Sequence, residues 1–125
     1  MAESRAQVEE MLDKFLNKDF FVIVTRPCVS EEIQKVIEQH LDNQIKLEKD
    51  GVMFAAGPLY EEGKEFASHG MFVIRADSFE EAKAIADEDP LHKMGLRTYT
   101  LHKWRINEGS YTVTVNYSDQ TMSIA

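Results

Sequence analysis

Cysteine is almost missing from this sequence: Cys28 stands alone, so no internal disulfide can form. Packing must hold the fold, and a lone thiol fits a reducing compartment. Basic residues are in short supply as well. Fourteen Lys and Arg face 22 Asp and Glu, a formal net charge of -8. Phosphate backbones attract basic surfaces, so no nucleic-acid partner is expected. His102, Lys103 and Arg105 are the nearest approach to a basic patch, and they alternate with apolar residues as a strand edge would. Anionic membrane surfaces are disfavoured for the same reason. No apolar run approaches the roughly 18 residues a membrane span needs. Residues 1–10 are polar, carry three glutamates and lack the apolar core of a signal peptide. A cytoplasmic setting is the expectation.

Metal-ligand spacing is also wanting. His40, His69, His92 and His102 are scattered, and none pairs with another at i+3 or i+4. Gly51, Gly57 and Gly63 are too widely spaced for a dinucleotide fingerprint. No metal and no nucleotide, flavin or nicotinamide cofactor is implied.

What is present suits one packed domain. The 125 residues are 43% hydrophobic and 10% aromatic, enough for a core without staples. Val8, Met11, Leu12, Phe15 and Leu16 fall on one helical stripe and predict a helix over 6–18. It reads as an N-terminal arm, residues 1–19, ahead of a domain over 20–125. Phe20 to Thr25 is a short β-branched and aromatic run, a buried strand. Ser30 is placed to cap the next helix, with Glu31 and Glu32 in its first turn. That helix turns Ile33, Val36, Ile37, His40, Leu41 and Leu47 inward and ends at Gly51.

Val52 to Ala56 predicts a second strand stopped by Gly57-Pro58, and Met71 to Ala76 a third. Ser78 and Glu81 form a capping-box pattern ahead of a helix that closes near Asp89-Pro90. A one-turn helix or turn follows to Gly95, then a strand from Arg97 to Ile106. The order is β-α-β-β-α-β, the α+β ferredoxin-like arrangement with an antiparallel sheet and both helices on one face. The other face must be covered, and a homodimer packing two sheets together would cover it. Past the last strand, Tyr111, Val113, Val115 and Tyr117 alternate with polar residues and predict a further strand. Ser118-Asp119-Gln120 then turns the chain towards residues 121–124, so the tail reads as an extra C-terminal strand or hairpin.

Four features in this order resemble the YCII-related family: His40-Leu41 on a helix running to Asp50-Gly51; a strand ending in Ala56-Gly57-Pro58; the helix start Ser78-Phe79-Glu80-Glu81-Ala82 closing on Asp89-Pro90; and Gly95 before a last strand that reaches Trp104. The resemblance covers roughly residues 20–105. It implies a dimeric α/β barrel, the fold of muconolactone isomerases and small cofactor-free oxygenases. It also implies a pocket between helices and sheet in which a histidine and an aspartate act together. By motif those positions are His40 and Asp89. One branch of that family is a dehydrochlorinase acting on chlorinated hydroxyquinols. The sequence departs from the family in its two terminal extensions, in Leu91 after Asp-Pro where an aromatic is usual, and in Lys103-Trp104 at the end of the last strand.

Each candidate residue has a functional and a structural reading. His40, on an apolar stripe, is either a core histidine with one satisfied hydrogen bond or a general base, since free imidazole titrates near about 6.5. Asp89 shares the inward stripe of Ile85 and Ala86 and sits at a helix end that disfavours negative charge. It is either a turn residue before Pro90 or the partner that fixes the imidazole's tautomer. Gly57 and Pro58 read as a strand terminator or as a pocket wall. His69 is an exposed loop residue or a ligand contact. Arg97 and Tyr99 share a side of the last strand, where the arginine either forms a surface ion pair or holds a carboxylate or phenolate. Trp104 belongs to the opposite side. Cys28 reads as a small filler rather than a nucleophile.

The reading is a cofactor-free enzyme on a small molecule. His40 and Asp89 would serve proton transfer for elimination or isomerisation, with Gly57, Pro58, His69, Arg97 and Tyr99 around the substrate. The alternatives are a non-catalytic small-molecule-binding domain and a cofactor-free monooxygenase.

Overall fold

A computed structural model of the chain describes residues 2–27 and 32–124. Its elements run α1 (Ala2–Asp13), β1 (Lys18–Pro27), α2 (Ile33–Lys49), β2 (Met53–Leu59), β3 (His69–Ile74), α3 (Phe79–Asp87), α4 (Pro90–Lys93), β4 (Arg97–Ile106), β5 (Val113–Val115) and β6 (Met122–Ile124). Cys28 and the expected Ser30 cap with Glu31 lie outside the described residues. The chain forms two compact units: residues 19–105, and the terminal stretches up to 18 and from 106.

In the larger unit, β1 to β4 form one antiparallel sheet in the order β2-β3-β1-β4. This is the expected α+β ferredoxin-like arrangement. Register fixes which side chains share a face. Phe21 pairs with Ile74, Ile23 with Phe72 and Thr25 with Gly70. Phe21, Ile23, Phe72 and Ile74 are buried beneath α3, where Ala82 and Ala86 are fully buried. These two small residues bring the helix axis close to the sheet. Leucines there would overpack the contact at a cost of about 1–3 kcal/mol each. Tyr99 and Leu101 of β4 join the same layer. Trp104 is exposed, as its opposite parity predicts. Ile33 and Val36 bring α2 onto Leu91 and Leu96.

The helix ends obey local chemistry. Ser78 Oγ accepts from the Glu81 N–H at 3.1 Å, and Glu81 reaches back to the Asp77 N–H rather than to that of Ser78. Gly51 ends α2 with φ +77°, and the Val52 N–H returns to the Leu47 carbonyl at 2.9 Å.

Two boundaries differ from expectation. Gly57 and Pro58 do not stop β2; they pair with Met71 and Gly70 inside it. β2 is an edge strand, where a proline can leave its missing N–H on the unpaired side. His69 likewise opens β3 instead of preceding it, pairing with Leu59.

In the smaller unit, α1 covers 2–13 rather than 6–18. Asn17, at φ 52°, ends the segment by donating from Nδ2 to the Leu12 and Phe15 carbonyls. The terminal stretch forms the expected hairpin, with Val113 opposite Ile124 and Val115 opposite Met122. Asp119 Oδ1 holds its turn by accepting from the N–H and hydroxyl of Thr121.

Candidate active site in a cavity between helix and sheet

The residues that fold α2 onto α4 also bring His40 to Asp89. Their inward stripe seats Ile33 and Val36 on Leu91, and one turn further along the same stripe lies His40. Asp89 precedes the short α4 with extended backbone. Its Oδ1 accepts from the Leu91 N–H at 2.9 Å, capping that turn. Its Oδ2 lies 2.6 Å from His40 Nδ1. The turn reading and the partner reading of Asp89 therefore describe the two oxygens of one carboxylate. Asp89 directly follows Glu88, the C-cap of α3, and its N–H still reaches the Ala86 carbonyl at 3.3 Å, while it also serves as the N-cap of α4.

The Asp89 side chain is 1% exposed and that of His40 is 12% exposed. Burial, the largest influence on Asp89, pushes its carboxyl up. The hydrogen bond and charge of His40, the Leu91 N–H and the charge of His92 together outweigh it, so the carboxyl lies below the ordinary carboxylate range. An ionised carboxylate only accepts, so His40 Nδ1 must carry the proton and donate. In a neutral ring, Nε2 is then the nitrogen that keeps the lone pair.

His40 is also a wall of a cavity of about 400 Å³. From α2 come His40, Leu41 and Gln44; Leu41, expected to face the core, stays half exposed on this wall. From the sheet come Thr25, Pro58, Gly70, Phe72 and Arg97, and Gly57 and His69 line it as well. Four of the five expected substrate contacts thus meet at one cavity with His40. Tyr99 does not line it: its hydroxyl donates to Asp87 at 2.5 Å and its ring lies against His92. Burial and that hydrogen bond raise the Tyr99 hydroxyl's pKa. Among the described residues, no group of three or more His, Cys, Asp or Glu is placed to hold a metal ion, and no helix is long and apolar enough to cross a membrane.

Sequence reasoning missed Thr25, Ser68 and Gly70. Thr25 is 2% exposed and its Oγ1 has no hydrogen-bond partner among the described residues. The available signal was parity: Thr25 is the polar member of the inward series Phe21, Ile23, Thr25. Ser68 Oγ lies 2.7 Å from His69 Nδ1 on the cavity wall.

No curated protein matches the sequence. Among solved structures, the chain is similar to the 5-chloro-2-hydroxyhydroquinone dehydrochlorinase TftG from Burkholderia phenoliruptrix AC1100, in complex with 2,5-dihydroxybenzoquinone. The likeness is 19% in sequence with a TM-score of 0.51, covering 67% of this chain and 92% of that one. At that identity the likeness is one of fold. The YCII-related domain model matches residues 20–105, the span of the sheet, its helices and the His40–Asp89 pair. The chain therefore belongs to the YCII-related domain family.

Proposed function

We propose that the chain is a cofactor-free enzyme in which His40 takes a proton from a small cyclic molecule held in the cavity. The observation that carries this is the 2.6 Å contact between His40 Nδ1 and the buried Asp89 carboxylate, with His40 also on the cavity wall. Asp89 fixes the tautomer and stabilises the imidazolium that forms, while Nε2 acts as the base. In an elimination, the proton moves to Nε2 and the electron pair it leaves expels a leaving group such as chloride. No oxidant or reductant is needed. In an isomerisation, the same proton returns at a different atom.

A cavity of about 400 Å³ accommodates a single ring with its substituents, within the range of small-molecule sites. Chlorinated hydroxyquinols and lactones are the substrates to try first, and 2,5-dihydroxybenzoquinone the first ligand. Gly57, Pro58, His69 and Arg97 surround the ring in this reading.

The test is chloride release or isomerisation by the wild type, His40→Ala and Asp89→Asn, with ligand binding measured in parallel. The proposal expects His40→Ala to lose about 10²–10⁴-fold in turnover while still folding and binding. Turnover that survives His40→Ala would sink it. Binding without turnover by the wild type, across the panel, would make the cavity a binding module instead. Oxygen consumption with a ring substrate would favour monooxygenation.

The same proposal includes a homodimer. The sheet face away from α3 carries exposed Phe54 and Trp104, with Phe54 against Phe20 at 4.6 Å between ring centroids. A second sheet packed there would cover them. Sedimentation should give a dimer at micromolar concentration; a stable monomer would count against it.

A further inference from the structure

The cavity holds two polar groups that neither the acid–base pair nor the fold uses. Thr25 Oγ1 and Arg97 Nε are both buried and without a hydrogen-bond partner among the described residues, and both residues line the cavity. Unpaired buried polar atoms are rare in native proteins, and a ligand is one of the reasons they persist. Arg97 also takes part in none of the ion pairs found among the described residues, although the chain carries 22 acidic residues.

Gly70 brings the two together. A Cβ there would lie 2.9 Å from Thr25 Oγ1 and 3.9 Å from Arg97 Nη1. Gly70 has no positive φ, so its backbone does not call for glycine. The missing side chain lets the Gly70 backbone lie close against the Thr25 hydroxyl, with the Arg97 guanidinium next to it.

The charge balance of the cavity runs against that of the whole chain. Its described lining contains no Asp or Glu, while Arg97 is on its wall. Asp89 stands behind His40 with both oxygens engaged. An acidic protein thus keeps a pocket free of acid around one arginine, an arrangement that suits an anion.

We infer that Thr25 and Arg97 form an anion-binding subsite, with Gly70 as its floor, that receives the ionised oxygen of a carboxylate or phenolate on a small ring. This rests on the reading of the cavity as a ligand site and names the class of ligand. The threonine hydroxyl and the guanidinium both donate, and charge-assisted bonds to an oxyanion are the strong kind.

Benzoate and benzamide test this directly, because they share a ring and differ in charge. Their binding to the full chain is measured by calorimetry at fixed ionic strength, with the Gly70 amide resonance followed by NMR. The wild type should prefer benzoate by about tenfold or more, and benzoate should shift Gly70. Arg97→Met should remove the preference, and Thr25→Val should cut it about three- to tenfold. Gly70→Ala should weaken benzoate by pushing the Thr25 hydroxyl aside. His40→Ala should keep the preference, so failure of the acid–base reading is distinguishable from failure of this one. No binding of benzoate, equal binding of the two rings, or a preference that survives both Arg97→Met and Thr25→Val would overturn the inference. The wild-type comparison decides it even where a variant does not fold.

Discussion

Asp87 and Asp89 stand two residues apart at the corner between α3 and α4, and each is hydrogen-bonded to an aromatic side chain. Asp87 accepts from the Tyr99 hydroxyl and from Lys83 at 2.6 Å. Asp89 accepts from His40 and from the Leu91 N–H. Both carboxyls lie below the ordinary carboxylate range. Asp87 is lowered chiefly by the hydrogen bond from Lys83, then by that from Tyr99. Asp89 is lowered in spite of burial, which is the largest influence on it and acts the other way. The Asp87 side chain is 47% exposed and that of Asp89 is 1% exposed. Water can replace the partners of the first carboxylate. The second has no such substitute, so its partner, a titratable ring on a cavity wall, is bound to it tightly. A lowered pKa alone therefore does not mark a functional carboxylate. Burial together with a cavity beside its partner is what makes Asp89 the candidate.

Activity should separate the two carboxylates most. Asp89→Asn keeps the shape but loses the charge that sets the imidazole tautomer, and should cost about 10²–10⁴-fold in turnover of any substrate found. Asp87→Asn should leave turnover within about threefold, since surface ion pairs couple weakly to their surroundings. Steady-state rates for the two variants, side by side, test both statements.

Stability should separate the two carboxylates next. Asp89→Ala removes a buried partner of His40 and the cap of α4, and should cost about 2–4 kcal/mol in denaturant unfolding. Asp87→Ala should cost less than about 1 kcal/mol. Comparable losses from the two would contradict the account.

Acid sharpens the contrast further. Because the folded Asp89 pKa lies below its unfolded value of about 3.9, folding favours the ionised form. That contribution is fully present above the unfolded value and is lost as pH falls through the lower, folded one. Unfolding free energy should therefore drop below about pH 4, and Asp89→Asn should flatten that drop. Asp87 shifts in the same direction, but solvent screens it. Raising salt to about 1 M should erase its share and leave that of Asp89. This is the smallest of the expected effects.

The fold was largely legible because its signals are periodic and local. The Phe20–Thr25 run, the Ser78–Glu81 cap and the Gly51 stop each name an element without help from the rest of the chain. Gly57-Pro58 misled because proline forbids a central strand but not an edge one, and which strand is an edge is a property of the whole sheet. Of the candidate site, the inward stripes and the family resemblance point to His40 and Asp89. That His40 sits within reach of Asp89, 49 residues on, needs the packing of α2 on α4. Parity marks Thr25 as inward-facing, but a threonine in a β-branched run reads as strand-former until its hydroxyl is seen buried without a partner. Parity groups Tyr99 with Arg97. Parity gives a face but not a neighbour, and two residues along the strand Tyr99 meets Asp87 instead of the cavity.

The account depends on Asp89 holding the proton of His40 on Nδ1 and leaving Nε2 as the basic nitrogen. Nitrogen-15 NMR of the histidine rings in the wild-type protein, recorded at a pH where imidazole is neutral, reads that tautomer without any substrate. The predicted result is a His40 ring protonated at Nδ1, with that proton coupled across the hydrogen bond to Asp89 and a bare Nε2. A ring protonated at Nε2, or an even mixture of tautomers, would contradict it.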